Sequence, residues 1–162
     1  MNGGSMLVEV MRNDAPAPRA DLGLIAFEDF IGLNEPAGWV SFRDKVVAQR
    51  ASLRALLSQL KAEGRTVVGY GAAAKCMTML NYCGIDTTLV SAFGDANPLK
   101  QGLLCPGVRI PVVSPAELVA MQPDYVLIGA WNLKREIIAQ FRAELAYTGK
   151  FIVPLPEPII ID

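Results

Sequence analysis

Thr66-Val67-Val68-Gly69-Tyr70-Gly71-Ala72-Ala73-Ala74-Lys75 is the stretch on which the fold turns. Its start, Thr66 to Gly69, has the make-up of a short buried strand, and Ala72 to Tyr82 continues as a helix that Gly84 stops. The glycines between them permit a tight turn and a close backbone approach. Gly69-Tyr70-Gly71-Ala72-Ala73-Ala74 also has the spacing G-x-G-x-x-A of a phosphate loop. In such a loop the helix N-terminus offers unpaired N–H groups and about half a positive charge to an anion. Lys75 adds a formal cation. The same small residues serve close strand–helix packing without any ligand, so the turn reads either as an anion cradle or as a packing joint.

Outward from this turn, strands and helices alternate. Thr88 to Phe93 reads as a second strand, followed by a polar loop over 94–102. Ile110 to Val113 reads as a third. Ser114-Pro115-Ala116-Glu117 then opens a helix with Ser as N-cap, Pro at the first position and Glu completing a capping box. Tyr125 to Gly129 is continuously apolar, as a strand buried on both faces should be. A helix from Asn132 through Ala146 and a strand at Phe151 to Val153 follow, before a Pro-rich tail. Toward the N-terminus, apolar residues from Trp39 to Leu60 recur every three or four positions, which predicts an amphipathic helix over 39–63 ending at Gly64. Residues 13–37 have linker chemistry with one short helical turn around Leu24 to Ile31, and 5–12 read as a strand with no partner. The expected architecture is α/β, a Rossmann-like three-layer αβα sandwich. Its parallel five-stranded sheet has the order 3-2-1-4-5, and the long N-terminal helix lies on one face. Residues 38–162 would form this domain, with 1–37 a stub of a preceding domain plus linker.

Composition narrows the function classes. The 162 residues suffice for one domain with a full core. With 52% hydrophobic residues and a mean hydropathy of +0.32 the chain is apolar. No run reaches the ~18 residues needed to cross a bilayer, and the N-terminus has no export signal. The surplus belongs in a core or under a partner. Fifteen basic against sixteen acidic residues give a net charge of −1, which argues against a nucleic-acid binder. Three cysteines, Cys76, Cys83 and Cys105, lack CxxC spacing, so a disulfide framework or metal site is not expected and a reducing cytoplasm fits. The absence of histidine removes Ser-His and Cys-His couples and counts against a self-contained hydrolase.

Ligands of such sheets bind at the carboxyl ends of strands where the order reverses, here between the strands ending at Gly69 and Gly129. Three polar segments meet at that point: 69–78, 95–101 and 130–132. Asp95 stands where a dinucleotide enzyme places its ribose-binding acid, yet beside Asn97-Pro98 it equally suits an Asx turn that only shapes the loop. Lys100 and Gln101 offer a cation and an amide, or a solvated turn. Trp131 is either a stacking platform for a base or sugar or a packing residue, and Asn132 suits the N-cap of the next helix.

Taken together these segments resemble the C-terminal domain of the C-methyltransferase family. The resemblance is carried by Gly69-Tyr70-Gly71-Ala72 with Lys75, Leu80-Asn81-Tyr82, and Asp95 with Asn97-Pro98-Leu99-Lys100-Gln101-Gly102. Pro106-Gly107, Ile110-Pro111, Pro123-Asp124-Tyr125-Val126-Leu127, Trp131-Asn132, Glu136-Ile137 and the closing Lys150-Phe151-Ile152-Val153-Pro154-Leu155-Pro156 complete it. It runs over about residues 39–157, and Gly3 to Val8 look like the end of the domain before. Cys76, Ala96 and Leu103-Leu104 depart from the pattern. The family methylates nucleotide-linked deoxysugars at carbon with S-adenosylmethionine, and its zinc-binding and methyl-donor-binding domains come first. The resemblance therefore implies a piece of a longer enzyme that holds the nucleotide-sugar and needs those missing domains as partners. Such a piece would have no catalytic residue or cofactor of its own. The substrate-binding residues it implies are Gly69, Tyr70, Gly71, Ala72, Lys75, Thr78, Asn81, Asp95, Asn97, Lys100, Gln101, Trp131 and Asn132. Two other readings stand beside it: a free-standing NAD(P)- or nucleotide-binding module, and a non-catalytic domain that forms homo-oligomers.

Overall fold

Alternation of side chains along the strands builds the molecule. The computed structural model describes Arg12, Asp14 and residues 22–162, and within these a six-stranded sheet has the order β3-β2-β1-β4-β5-β6. The strands are β1 (Val67–Tyr70), β2 (Phe93–Gly94), β3 (Val112–Val113), β4 (Tyr125–Ile128), β5 (Lys150–Val153) and β6 (Ile159–Ile161). The first five are mutually parallel, and β6 runs antiparallel along β5. Because successive residues point to opposite faces, the strands feed two cores. Val67, Leu127 and Ile152 join one core with helices α2 (Pro36–Ala62) and α3 (Ala74–Cys83). Val68, Val126 and Phe151 join the other with α4 (Pro115–Ala120) and α5 (Lys134–Ala143).

The chain divides into two compact units, Met1–Val47 and Ala48–Asp162, with the boundary inside α2. In the first, α1 (Leu22–Phe30) is joined to α2 by a turn through Gly32 at φ +73°. The large side chains Phe30, Trp39 and Phe42 of this unit are exposed. In the second, Leu53, Leu57 and Leu60 of α2 are buried at three- and four-residue spacing, and Gly64 ends the helix at φ +74°. Arg54 donates to the carbonyls of Cys83 and Gly84, both at 2.6 Å, and so ties α2 to the end of α3. Ser114 and Glu117 form the expected capping box at α4.

Several expectations need correction. The sheet is mixed and six-stranded rather than parallel and five-stranded, because the tail after the proline-rich stretch returns as an edge strand that pairs on one side only. The second strand begins only at Phe93: Asp86 accepts from the backbone N–H (2.9 Å) and hydroxyl (2.6 Å) of Thr88, drawing Thr88 into a turn. Ser91 and Ala92 still hydrogen-bond to β1, through Val67 and Gly69. The long helix starts at Pro36, and α5 stops at Ala143, short of Ala146, whose φ of +49° is left-handed. The expected strand over 5–12 lies outside the described residues apart from Arg12, which belongs to no element. Among the described residues no helix is long and apolar enough to cross a membrane.

Candidate functional site

The crevice at the carboxyl ends of β1 and β4 is organised by one carboxylate. Asp95 follows β2 and is 9% exposed. Its Oδ2 accepts the Ala72 N–H at 2.9 Å and pairs with Lys100 Nζ at 2.8 Å, while Oδ1 accepts the Asn97 N–H at 2.9 Å. Lys100 also donates to the Ala72 carbonyl at 3.0 Å, and the Gln101 amide donates to the Asp95 carbonyl at 3.0 Å. Asn97 repeats the turn by accepting the Leu99 N–H at 3.0 Å. Of the two readings of Asp95, the turn-shaping one describes its bonds: the side chain clamps the glycine loop to the loop after β2. Three of its roughly four acceptor sites are taken within the chain.

The glycines have separate tasks. A Cβ on Gly69 would lie 2.2 Å from the Phe93 ring, so this residue serves strand packing. Gly71, at φ +85°, turns the chain into α3. At the start of that helix Ala73 donates to Gly71 O and Cys76 to Ala73 O. The N–H groups of Ala74 and Lys75 donate to no acceptor among the described residues, which is the usual state of a helix's first turn open to a ligand. The Lys75 side chain crosses to the β4 side, with Nζ 4.6 Å from the centre of the Trp131 ring and donating to Asn132 Oδ1. A cation held over an indole face keeps its charge while sharing its solvation with the ring.

Gly71, Ala72, Lys75, Asp95, Lys100, Gln101, Trp131 and Asn132 are thus brought together, and besides Gly69 three expected residues are not. The Thr78 hydroxyl donates back to Ala74 O one turn earlier, at 3.2 Å. The Asn81 amide holds the Pro106 carbonyl at 3.0 Å, packed where a Cβ on Gly107 would fall. Asn97 engages only its own loop. Asn132 also departs from its expected role as N-cap. It sits inside a 3-10 turn over Trp131–Leu133, α5 begins after Leu133 with no side-chain cap, and the Asn132 side chain serves Lys75 instead.

Sequence reading missed the α5 side of the crevice. There a cavity of about 270 Å3 is lined by Tyr70, Asp95, Ala96, Glu136, Ile137 and Gln140, among others. The signal was available: Glu136, Ile137 and Gln140 fall at helical spacing, so they share a face of α5, with Leu133 in step just before it. Burial pushes the Tyr70 phenol above its usual range, and the Asp95 charge adds to that. Beneath the loop, burial pushes the Cys76 thiol up to about 12, so this cysteine is packing and no nucleophile.

A cation, an indole and an open helix N-terminus thus stand together at the switch point of this α/β domain, the place where sheets of this kind take small-molecule ligands. Residues 1–156 match the C-methyltransferase C-terminal domain, and the chain belongs to that family. It is similar to the C-methyltransferase NovU of Streptomyces niveus, at 37% identity over 164 aligned residues. That alignment takes in all of this chain and 39% of NovU, so the chain spans well under half the length of this relative.

Proposed function

We propose that this chain is the nucleotide-sugar-binding part of an S-adenosylmethionine-dependent C-methyltransferase acting on a nucleotide-linked deoxysugar in the cytoplasm. It has no methyl-donor site of its own. The observation that carries this reading is Lys75 poised over Trp131 beside the unpaired N–H groups of Ala74 and Lys75. A diphosphate laid across the turn would accept from those two N–H groups and draw the Lys75 ammonium from Asn132. Trp131, released on one face, would then stack on a base or ring. Asp95 and Lys100 take no part in contact; they hold the turn in shape before the ligand arrives, which lowers the ordering cost of binding. S-adenosylmethionine, bound by methyl-donor and zinc-binding domains elsewhere in the whole enzyme, would supply the methyl group.

The rival dinucleotide reading is weakened by Asp95, whose oxygens are already committed to Ala72, Asn97 and Lys100. A role in protein association draws support from the exposed Phe30, Trp39 and Phe42 of the first unit, a surface that self-association or partner domains would cover.

Isothermal titration with thymidine-diphosphate-glucose, NAD and S-adenosylmethionine tests the proposal. Binding of the sugar nucleotide is expected, and binding of NAD alone would overturn it. Lys75→Ala should weaken sugar-nucleotide binding by about 1.5 to 3 kcal/mol, the usual worth of a charge-assisted hydrogen bond. Unchanged affinity would place the phosphates elsewhere.

A further inference from the structure

Tyr70 is the last residue of β1 and only 5% exposed, with its ring packed edge-on against Phe141 at 4.7 Å. A tyrosine buried this deeply ordinarily gives its hydroxyl a partner. Tyr147 does so in the same chain, its hydroxyl lying 3.1 Å from the carbonyl oxygens of Asp124 and Lys150. The Tyr70 hydroxyl has no hydrogen-bond partner among the described residues. Nor, among those residues, does any fully buried side-chain oxygen or nitrogen lack one. The Tyr70 hydroxyl therefore keeps some exposure, and Tyr70 lines the cavity under α5.

The rest of that wall defines what the hydroxyl awaits. Glu136 brings a carboxylate, Gln140 an amide, and Ala96 and Ile137 an apolar surface; Asp95 is already committed to Ala72, Asn97 and Lys100, and among the described residues no lysine or arginine lines the cavity. An anion would be repelled there. A ring bearing hydroxyl groups is matched: an O–H group donates to the Glu136 carboxylate and its C–H face covers alanine and isoleucine. At about 270 Å3 the space is at the lower edge of small-molecule sites and holds one substituted ring, not a nucleoside besides.

We propose that this cavity is the subsite for the sugar ring, with the Tyr70 hydroxyl bonded to a ring oxygen and Glu136 accepting from a ring hydroxyl. The assignment rests on the nucleotide-sugar reading above and adds a division of the ligand: phosphates on the Lys75 side of the glycine turn, sugar on the Tyr70 side.

Titration of the full chain with thymidine diphosphate and with thymidine-diphosphate-glucose separates the two claims. Tyr70→Phe keeps the ring packing and should weaken the sugar nucleotide roughly three- to tenfold, the worth of one hydrogen bond, while leaving thymidine diphosphate within about twofold. Ala96→Leu fills the cavity from an exposed loop position and should repeat that selective loss, with thermal melts confirming that both variants fold. A loss in Tyr70→Phe that falls on both ligands equally, or on neither, overturns the sugar subsite and leaves the nucleotide reading standing. If the unchanged chain binds neither ligand, both readings fall.

Discussion

The two ends of the sheet carry cavities of opposite character. At the amino ends of β4 and β5 lies the larger one, about 590 Å3, lined by Arg65, Asp124, Tyr147 and Lys150 among others. Its charged groups already answer one another. Asp124 accepts from the backbone N–H (2.8 Å) and hydroxyl (2.9 Å) of Thr66, pairs with Arg65, and donates its own N–H back to the threonine at 3.0 Å. Tyr147 rests its hydroxyl against two carbonyls, and Lys150 pairs with Asp162. At the carboxyl ends the cavity is less than half that size, yet it adjoins N–H groups that reach no acceptor among the described residues and a cation on an indole. The two ends thus differ in their charges, paired with one another at the larger cavity, a seam, and set beside open backbone donors at the smaller, and volume does not decide between them.

Two glycine substitutions should separate the ends most sharply. A Cβ on Gly149 would fall 2.3 Å from the Tyr147 hydroxyl and 2.7 Å from Asp124 O. Gly149→Ala must therefore displace the tyrosine and break its bonds, at a cost of about 2 to 4 kcal/mol in urea unfolding. Sugar-nucleotide affinity should not change. A Cβ on Gly129 would fall 2.3 Å from Gly71 O and 2.8 Å from Cys76 Sγ, so Gly129→Ala should cost comparable stability and also displace the turn proposed to hold the phosphates. Equal loss of affinity in the two variants would erase the distinction between seam and site.

Asp95 comes next in size, because its cluster satisfies itself at the carboxyl end, where the ligand is proposed to bind. Removing its carboxylate leaves Lys100 without its counter-ion and the Ala72 and Asn97 N–H groups without an acceptor. Asp95→Ala should lose about 1.5 to 3 kcal/mol of stability and weaken the sugar nucleotide, since the turn is no longer held. A variant that loses stability but keeps affinity would show that α3 holds the turn unaided.

How much of this was legible depended on whether a signal was local. Gly64, Gly84 and the Ser114–Glu117 box act within a few residues of themselves, and each does in the structure what its sequence context implies. The crevice was legible as a meeting of three loops because strand order alone determines where they converge. Direction of bonding was not. Whether Asp95 faces a ligand or the Ala72 N–H depends on where a loop 23 residues away comes to rest. Asn132 has the chemistry of an N-cap and lost that role to a lysine 57 residues distant. The edge strand β6 was hidden for a third reason: Ile159 to Ile161 pair only with β5, so neither alternation nor burial marks them, and the prolines before them read as tail.

The smallest expected effect lies in acid, at the seam. Hydrogen bonds from Thr66, first its backbone N–H and then its hydroxyl, hold the Asp124 carboxyl below its ordinary 3.8. A group whose pKa is lowered by folding contributes stability that is complete above the unfolded value and disappears as pH falls through the folded one. The chain should therefore lose stability below about pH 4, and exposed Asp86 and Glu117, held low by bonds to Thr88 and Ser114, push the same way. Asp124→Asn cannot ionise. With the side chain about a third exposed, the substitution should cost about 1 kcal/mol or less at pH 7, and the gap to the parent chain should narrow as pH drops from 5 to 3. Urea midpoints across that range measure it. A gap that stays constant would mean that the Thr66–Asp124 contact holds equally well without charge. A loss of sugar-nucleotide affinity at pH 7 would mean that the two ends of β1 and β4 are coupled, and that the seam takes part in binding after all.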